Sequence, residues 1–185
     1  MTNEVENKIR PPIIAVIGVS KSGKTTIIEH LIRNLAKKNL RIGTIKHVHN
    51  PRHSLDLKGK DSWRHSQAGA KIVVCTSPKE IALFKKRENS RENIDEILQL
   101  FENEPVDLLL IEGFQSQVIQ RSDIQKIVIV GDKGEFDALD KRLFPVLAFV
   151  GPTLLKKETP INLDAPYLSF LEDRNKLVEL IKNLL

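Results

Sequence analysis

Apolar residues fall along this chain in short runs that alternate with stretches of helical periodicity. Ile13–Ile17 is an unbroken apolar run, the pattern of a parallel strand that is buried on both faces. The next stretch, through about Lys38, has its apolar residues three and four positions apart, which predicts an amphipathic helix. Further apolar runs of strand length occur at 41–46, 71–76, 81–84, 108–111, 127–130 and 146–150, and helical patterns at 61–70, 90–101 and 177–184. Strands that alternate with helices predict an α/β fold with a mostly parallel sheet flanked by helices.

The length and composition favour one globular domain. The chain has 185 residues, of which 41% are hydrophobic and 29% charged, as in ordinary soluble proteins. We expect a disordered lead-in over residues 1–11 and a single domain over 12–185. The chain has no apolar run of the length that a membrane helix needs and no secretory signal at its start, so we expect a cytoplasmic protein. The single cysteine, Cys75, lies within an apolar run, and we expect it to be buried.

The net charge of +5 is modest, and the basic residues are spread along the chain rather than concentrated in a block. Such a charge suits anionic ligands in general, phosphates included. With little aromatic interleaving and no recognisable binding module, we expect no nucleic acid as a partner. A membrane partner is not expected either.

Residues 18–25 match the phosphate-binding motif G-x-x-x-x-G-K-[ST] in full, between a predicted strand and a predicted helix. Glycines allow a sharp turn whose successive N–H groups point at phosphate oxygens, and the helix start adds its positive dipole end. In this motif Lys24 reaches the β- and γ-phosphates and the Thr25 hydroxyl coordinates Mg²⁺. We expect nucleotide contacts from Gly18, Val19, Ser20, Lys21, Ser22, Gly23, Lys24, Thr25 and Thr26. The prediction is a three-layer P-loop NTPase fold, although Val19 stands where some P-loop ATPases carry a second lysine.

Two acidic positions are candidates for the Mg²⁺ site beside Thr25. The run 108–111 is followed by Glu112 and Gly113, a Walker B arrangement that brings a carboxylate to the C-terminal edge of the sheet. We predict that Glu112 binds the ion, directly or through water, and with Lys24 takes part in catalysis; a surface acid in a strand-to-helix turn is the alternative. A second carboxylate follows the second strand, and we favour Asp56 over Asp61.

The stretch 46–64 is dense in lysine, arginine and histidine. Anion binding and a flexible, solvated loop both fit this charge pattern. His47, His49, His53 and His65 lack the accompanying cysteines of a zinc site, so hydrogen bonding to a phosphate, or plain solvent exposure, is the expected role.

Four sequence blocks occur in a specific order. They are residues 18–26, Ile45-Lys46-His47-Val48-His49, Asp56–Ser62 followed by Ala68-Gly69-Ala70, and Ile111-Glu112-Gly113-Phe114. Together they resemble the molybdopterin-guanine dinucleotide biosynthesis protein B family, over about residues 12–185. The phosphate loop is common to many families, whereas the other blocks in series are much more specific.

The resemblance implies a GTP-binding protein with weak GTPase activity that uses Mg²⁺. It implies that the protein assists the guanylyltransferase that joins GMP to molybdopterin, in the synthesis of the molybdenum cofactor, and that it forms a homodimer. The chain departs from the family at Gln115, where a lysine usually follows Glu-Gly-Phe, and at Gln125-Lys126-Ile127, where a Pro-Lys-Ile pattern is usual. A role of that segment in contact with a partner or with the pterin is therefore left open.

The preference for guanine rests on the resemblance, because the chain has no Asn-Lys-x-Asp motif. Asp132 follows a late strand and is a candidate base-reading residue, with a turn residue as the alternative. Arg64 and Arg121 are candidate charge stabilisers, or else surface residues. The rival functions are a small-molecule kinase or ATP-dependent ligase, and a nucleotide-carrying adaptor whose hydrolysis is incidental.

Overall fold

The computed structural model describes residues 11–48, 50, 54–87, 92–140, 142–153 and 164–185. The predicted lead-in lies outside these ranges apart from Pro11, and so do His49 and His53. The chain divides into two compact units, one from the described residues of Met1–His47 and Asn93–Leu185 and the other from Val48–Glu92. The single domain over 12–185 stays a prediction.

The first unit contains a six-stranded sheet. Its strands are β1 Ile13–Ile17, β2 Ile42–Lys46, β5 Leu108–Glu112, β6 Ile124–Ile129, β7 Val146–Gly151 and β8 Tyr167–Ser169, in the spatial order β2-β5-β1-β6-β7-β8. Each described pairing between neighbours is parallel. The helices of this unit are α1 Lys24–Ala36, α3 Ile94–Leu98, α4 Gln115–Val118, α5 Lys133–Asp137 and α6 Arg174–Lys182, with a 3₁₀ turn at Gln99–Phe101.

Helices cover both faces of this sheet, as the apolar runs predicted. Ile14 and Val16 pack on the same side as apolar residues of α1 and α6, whereas Ala15 and Ile17 pack with those of α3 and α4. Because β1 is buried on both faces, each of its five residues must be apolar. The predicted three-layer α/β fold with a mostly parallel sheet is confirmed.

The second unit consists of α2 Asp61–Gln67 and a hairpin of β3 Ile72–Thr76 and β4 Ile81–Lys85. The two strands are antiparallel and form a sheet of their own. Only Val73 of β3 is buried, and Cys75 is exposed. The expectation of a buried Cys75 was therefore wrong, because its apolar run belongs to a two-stranded ribbon rather than to the core of the large sheet.

Three short elements, α4, α5 and β8, were not predicted, since runs of three to five residues carry too little periodicity. Strand β6 begins at Ile124, three residues before the apolar run that indicated it, because Lys126 interrupts the pattern. Asn93 is the N-cap of α3, and its side chain accepts a hydrogen bond from the Asp95 N–H (2.9 Å). No helix within the described ranges is long and apolar enough to cross a membrane.

Candidate nucleotide site

The phosphate loop connects β1 to α1 at the C-terminal edge of the sheet. Gly23 is the N-cap of α1 and has φ of +93°, a backbone conformation that glycine adopts without strain. Lys21, within the loop, also has a positive φ of 63°. These turns bring the chain back on itself, so that α1 begins at Lys24 and its first N–H groups are available to an anion.

Lys24 lies over the loop that precedes it. Its Nζ donates hydrogen bonds to the carbonyl oxygens of Gly18 (2.9 Å) and Val19 (2.5 Å). Burial lowers the pKa of Lys24 from its ordinary value; the carboxylate of Glu112 acts in the opposite direction, and the charge of Lys46 adds to the lowering. A half-buried ammonium with a second cation nearby favours an anionic ligand at this loop.

Glu112 ends β5 and is only 7% exposed. In the parallel register it lies opposite Val16 of β1 and Lys46 of β2, so that it reaches the loop from the neighbouring strand. Both of its carboxylate oxygens accept from the Thr25 hydroxyl at 3.1 Å. Its Oε1 is also paired with the Nζ of Lys46. The predicted neighbours Lys24, Thr25 and Glu112 thus lie within one cluster.

The oxygen atoms of Thr25 and Glu112 fit the predicted Mg²⁺ site. A hydroxyl and a carboxylate are hard donors of the kind that Mg²⁺ prefers, and few protein ligands suffice when the nucleotide phosphates and water supply the others. Among the described residues no group of three or more His, Cys, Asp or Glu side chains is arranged to hold a metal ion.

Asp56, the other predicted metal ligand, belongs to the second unit. It is 7% exposed, and its Oδ1 accepts from the Ser62 hydroxyl (2.8 Å), whereas its Oδ2 is buried without a partner among the described residues. Asp61 instead begins α2 at an exposed position, and Arg64 contacts it at 3.4 Å. The place of Asp56 beside Thr25 and Glu112, in preference to Asp61, stays a prediction.

The residues after Glu112 form a tight turn that sequence reasoning assigned no role. Gly113 has φ of +100° and Phe114 has φ of +54°, which is costly for a residue other than glycine. The Phe114 ring stacks on the His47 ring with a centroid distance of 4.3 Å. The backbone N–H of His47 donates to the Glu112 carbonyl (2.8 Å). A Cβ on Gly113 would lie 2.6 Å from the Cβ of His47. The turn therefore positions Glu112. The sequence indicated it only in that the segments around His47 and around Gly113 both belong to the four blocks that carry the family resemblance.

Asp132, the candidate base-reading residue, is the N-cap of α5. Its Oδ1 accepts from the Glu135 N–H (2.8 Å), and the Glu135 carboxylate accepts from the Gly131 N–H (2.7 Å). This reciprocal arrangement resembles a capping box and gives Asp132 a structural role. A base-reading role stays a prediction.

Arg121 is not placed to stabilise charge at the phosphate loop. It precedes β6, at the opposite end of the parallel strands from the loop, and donates to Asp123 (2.6 and 2.7 Å) and Asp95 (2.7 Å). The candidate role of Arg121 was therefore wrong. Sequence position alone did not show at which edge of the sheet the residue lies.

The residues of the candidate site lie within a segment that matches a known protein family. The family model described as "MobB: Molybdopterin guanine dinucleotide synthesis protein B" matches residues 13–150, from the start of β1 into β7. The chain belongs to this family. The match covers the phosphate loop, the Lys46–His47 segment and the Glu112–Phe114 turn.

Individual members of the MobB family agree in sequence and in fold. A protein of Methanocaldococcus jannaschii is 37% identical over 128 residues, which are 69% of this chain and 51% of that protein. The molybdopterin-guanine dinucleotide biosynthesis adapter protein of Haemophilus influenzae is 34% identical over 110 residues, 60% of this chain and 61% of its own length. The chain thus matches only about half to three-fifths of these relatives. The crystal structure of Bacillus subtilis MobB superposes with a TM-score of 0.74 at 26% identity, covering 94% of this chain and 98% of that one.

Gln115, which stands where the MobB family usually has lysine, is the exposed first residue of α4. It follows the Gly113–Phe114 turn directly. A glutamine in place of a lysine removes one positive charge from the surface next to the turn. The contacts of Glu112 with Thr25 and Lys46 do not involve this residue.

Proposed function

We propose that this chain is a GTP-binding adapter of molybdopterin guanine dinucleotide synthesis. It acts in the cytoplasm as a slow, Mg²⁺-dependent GTPase and assists the guanylyltransferase that joins GMP to molybdopterin. The observation that carries the proposal is the convergence of Lys24, Thr25 and Glu112 at the start of α1. Membership of the MobB family, whose Haemophilus member is named an adapter, supports the pathway.

In this proposal each residue has a defined task. The loop N–H groups and the ammonium of Lys24 bind the β- and γ-phosphates, for which Lys24 gives up its hydrogen bonds to the loop carbonyls. Thr25 and Glu112 would hold Mg²⁺, and Glu112 would also help to orient the attacking water. The bound ion would neutralise charge on the transferred phosphoryl group. Glu112 would be engaged by the metal ion rather than held as a free base, and Arg121 is paired with Asp95 and Asp123 at the other edge of the sheet, so we expect slow hydrolysis.

We further propose that the protein is a homodimer, and the hairpin of the second unit favours this. Val74 and Leu83 lie directly opposite each other, and Ile72 and Ile81 alternate with them on the same face. These four side chains are 51–76% exposed, an apolar surface that a monomer seldom leaves uncovered. Val74→Lys should shift the mass measured by light scattering from a dimer to a monomer. A parent protein that is monomeric at all concentrations would exclude the dimer.

Two measurements test the proposed function. Calorimetric titration with GTP and ATP, each with Mg²⁺, should show tighter binding of GTP. GMP attachment to molybdopterin by the guanylyltransferase should then be faster when this protein and GTP are present, and Lys24→Ala should abolish the gain. Tighter binding of ATP, with rapid turnover on a small-molecule phosphoryl acceptor, would instead indicate a kinase.

A further inference from the structure

A second lysine, Lys46, reaches the cluster from β2. It is the last residue of that strand and lies opposite Glu112 in the register, which directs its ammonium to the Glu112 Oε1. The side chain of Lys46 is 56% exposed, so its ammonium can move without disturbing the core. The same carboxylate accepts from the Thr25 hydroxyl (3.1 Å), directly after Lys24 of the phosphate loop. The ammonium of Lys46 thus lies beside the loop that carries Lys24.

This arrangement changes when a metal ion binds. Glu112 cannot hold Mg²⁺ and keep its full attraction for Lys46, because the ion places a double positive charge at the same carboxylate. The ammonium of Lys46 would then move towards the nearest anionic group, which in the proposed complex is the terminal phosphate. The loop has no lysine directly after its first glycine, where Val19 stands, and its other lysine besides Lys24 is the exposed Lys21.

We propose that Lys46 is a second phosphate-binding lysine, which leaves Glu112 for the terminal phosphate when a Mg²⁺–nucleoside triphosphate binds. The inference rests on the proposed function and adds to it how the site distinguishes a triphosphate from a diphosphate. A diphosphate lacks the group that Lys46 would bind, so this lysine contributes to GTP affinity and little to GDP affinity. A hydrogen bond of this kind between charged groups changes affinity about tenfold to a hundredfold.

The test is calorimetric titration of the parent and Lys46→Met with GTP and with GDP, both with Mg²⁺. We expect Lys46→Met to weaken GTP binding about tenfold or more and to leave GDP binding nearly unchanged. Lys46→Arg keeps the positive charge and should keep the preference for GTP above that of Lys46→Met. Lys182→Met is the matched control: it removes a lysine that is paired with Glu179 on α6, and should change neither affinity.

A second comparison uses EDTA in place of Mg²⁺. Without the metal ion Lys46 remains on Glu112, so the parent and Lys46→Met should bind GTP with similar affinity. An equal loss for GTP and GDP, no loss for either, or the same GTP deficit in EDTA would overturn the role of Lys46 while leaving nucleotide binding intact. A parent protein that binds neither nucleotide would overturn the proposed function and this inference together.

Discussion

The two edges of the large sheet carry charged residues in opposite ways. At the N-terminal edge Arg121 donates to two carboxylates, Asp95 and Asp123, and Arg41 makes a side-chain pair and a backbone hydrogen bond with Asp107. At the C-terminal edge Lys46 is paired with Glu112, whereas the ammonium of Lys24 donates to the loop carbonyls of Gly18 and Val19. One edge matches each arginine with carboxylates, whereas the other concentrates positive charge.

The phosphate loop and the turn after β5 also have unusual backbone conformations. Positive φ values occur there at Lys21, Gly23, Gly113 and Phe114, and the turn before β2 contains one as well, at Asn39 (62°). At the N-terminal edge the pKa of Asp107 is lowered to about 2 by hydrogen bonds from the side chain and then the backbone of Arg41. The two lysines lie at the edge where a ligand can bind, and the arginine–carboxylate pairs lie at the edge where they contribute to the fold. We therefore expect ligand binding to depend on the charged residues of the C-terminal edge, and stability to depend on those of the N-terminal edge.

The largest effect is expected from Lys24→Ala. Its ammonium donates to the carbonyls of Gly18 and Val19 in its own loop, outside the core, so the variant should fold while losing triphosphate affinity about a hundredfold or more. Titration with GTP and Mg²⁺ measures this loss. Lys37→Ala, at the exposed other end of α1, is the control and should bind as the parent does. If Lys24→Ala bound GTP as tightly as the parent, the C-terminal edge would have no special role in nucleotide binding.

Gly113→Ala tests the turn that positions Glu112. The new Cβ would meet His47 at 2.6 Å in a backbone conformation that alanine adopts only with strain, so we expect a loss of about 2–4 kcal/mol in the free energy of unfolding. Urea denaturation provides the measurement. Gly59→Ala is matched, since Gly59 also has a positive φ of 88° but nothing within 4 Å of the added Cβ. Equal losses for both variants would show that the close approach of His47 contributes nothing.

Glu112→Gln separates chemistry from binding at the same edge. The amide keeps the shape and can still meet Thr25, but it lacks the charge that holds Mg²⁺. We expect hydrolysis to fall about tenfold or more while GTP affinity changes less. Single-turnover kinetics and titration on the same preparation measure the two quantities. An unchanged hydrolysis rate would leave Glu112 as a structural acid at the end of a strand.

The smallest effect is expected from Lys126, whose ammonium lies near the N-terminal edge and whose titration should change stability with pH. It is fully buried in β6, and its Nζ donates to the carbonyls of Arg121 and Phe144 at 2.5 Å. Burial lowers its pKa from 10.5 to about 8, with Asp123 acting in the opposite direction. Between pH 8 and 10.5 the unfolded chain therefore holds a proton that the folded chain has released, so stability rises with pH in this window.

The variant Lys126→Met lacks this titration and is the reference. Relative to it, the parent should gain free energy of unfolding as the pH is raised from about 8 to about 10.5, and the difference should be constant below pH 8. Urea denaturation across this range gives both curves. Two parallel curves would show that Lys126 titrates alike in the folded and unfolded chains.

Features set by contiguous residues could be predicted from the sequence, and those set by pairing across the sheet could not. The phosphate loop and Glu112 each lie in one strand-to-helix segment, so the motif and its flanking apolar runs were sufficient. The pair of Lys46 and Glu112 joins residues 66 positions apart and depends on β2 lying next to β5. The edge at which Arg121 lies and the exposure of Cys75 likewise depend on strand pairing. Phe114 was missed because a positive φ is rare for phenylalanine.

The most direct measurement of the whole proposal is a crystal structure with Mn²⁺ in place of Mg²⁺ and a non-hydrolysable GTP analogue. We predict one anomalous peak that is bound by the Thr25 hydroxyl and by Glu112, directly or through water, beside the β- and γ-phosphates, with Lys24 on the phosphates. The same map shows whether Asp56 or Asp61 completes the site, and whether Lys46 has left Glu112. A nucleotide bound away from the start of α1, or a metal ion that contacts neither Thr25 nor Glu112, would contradict it.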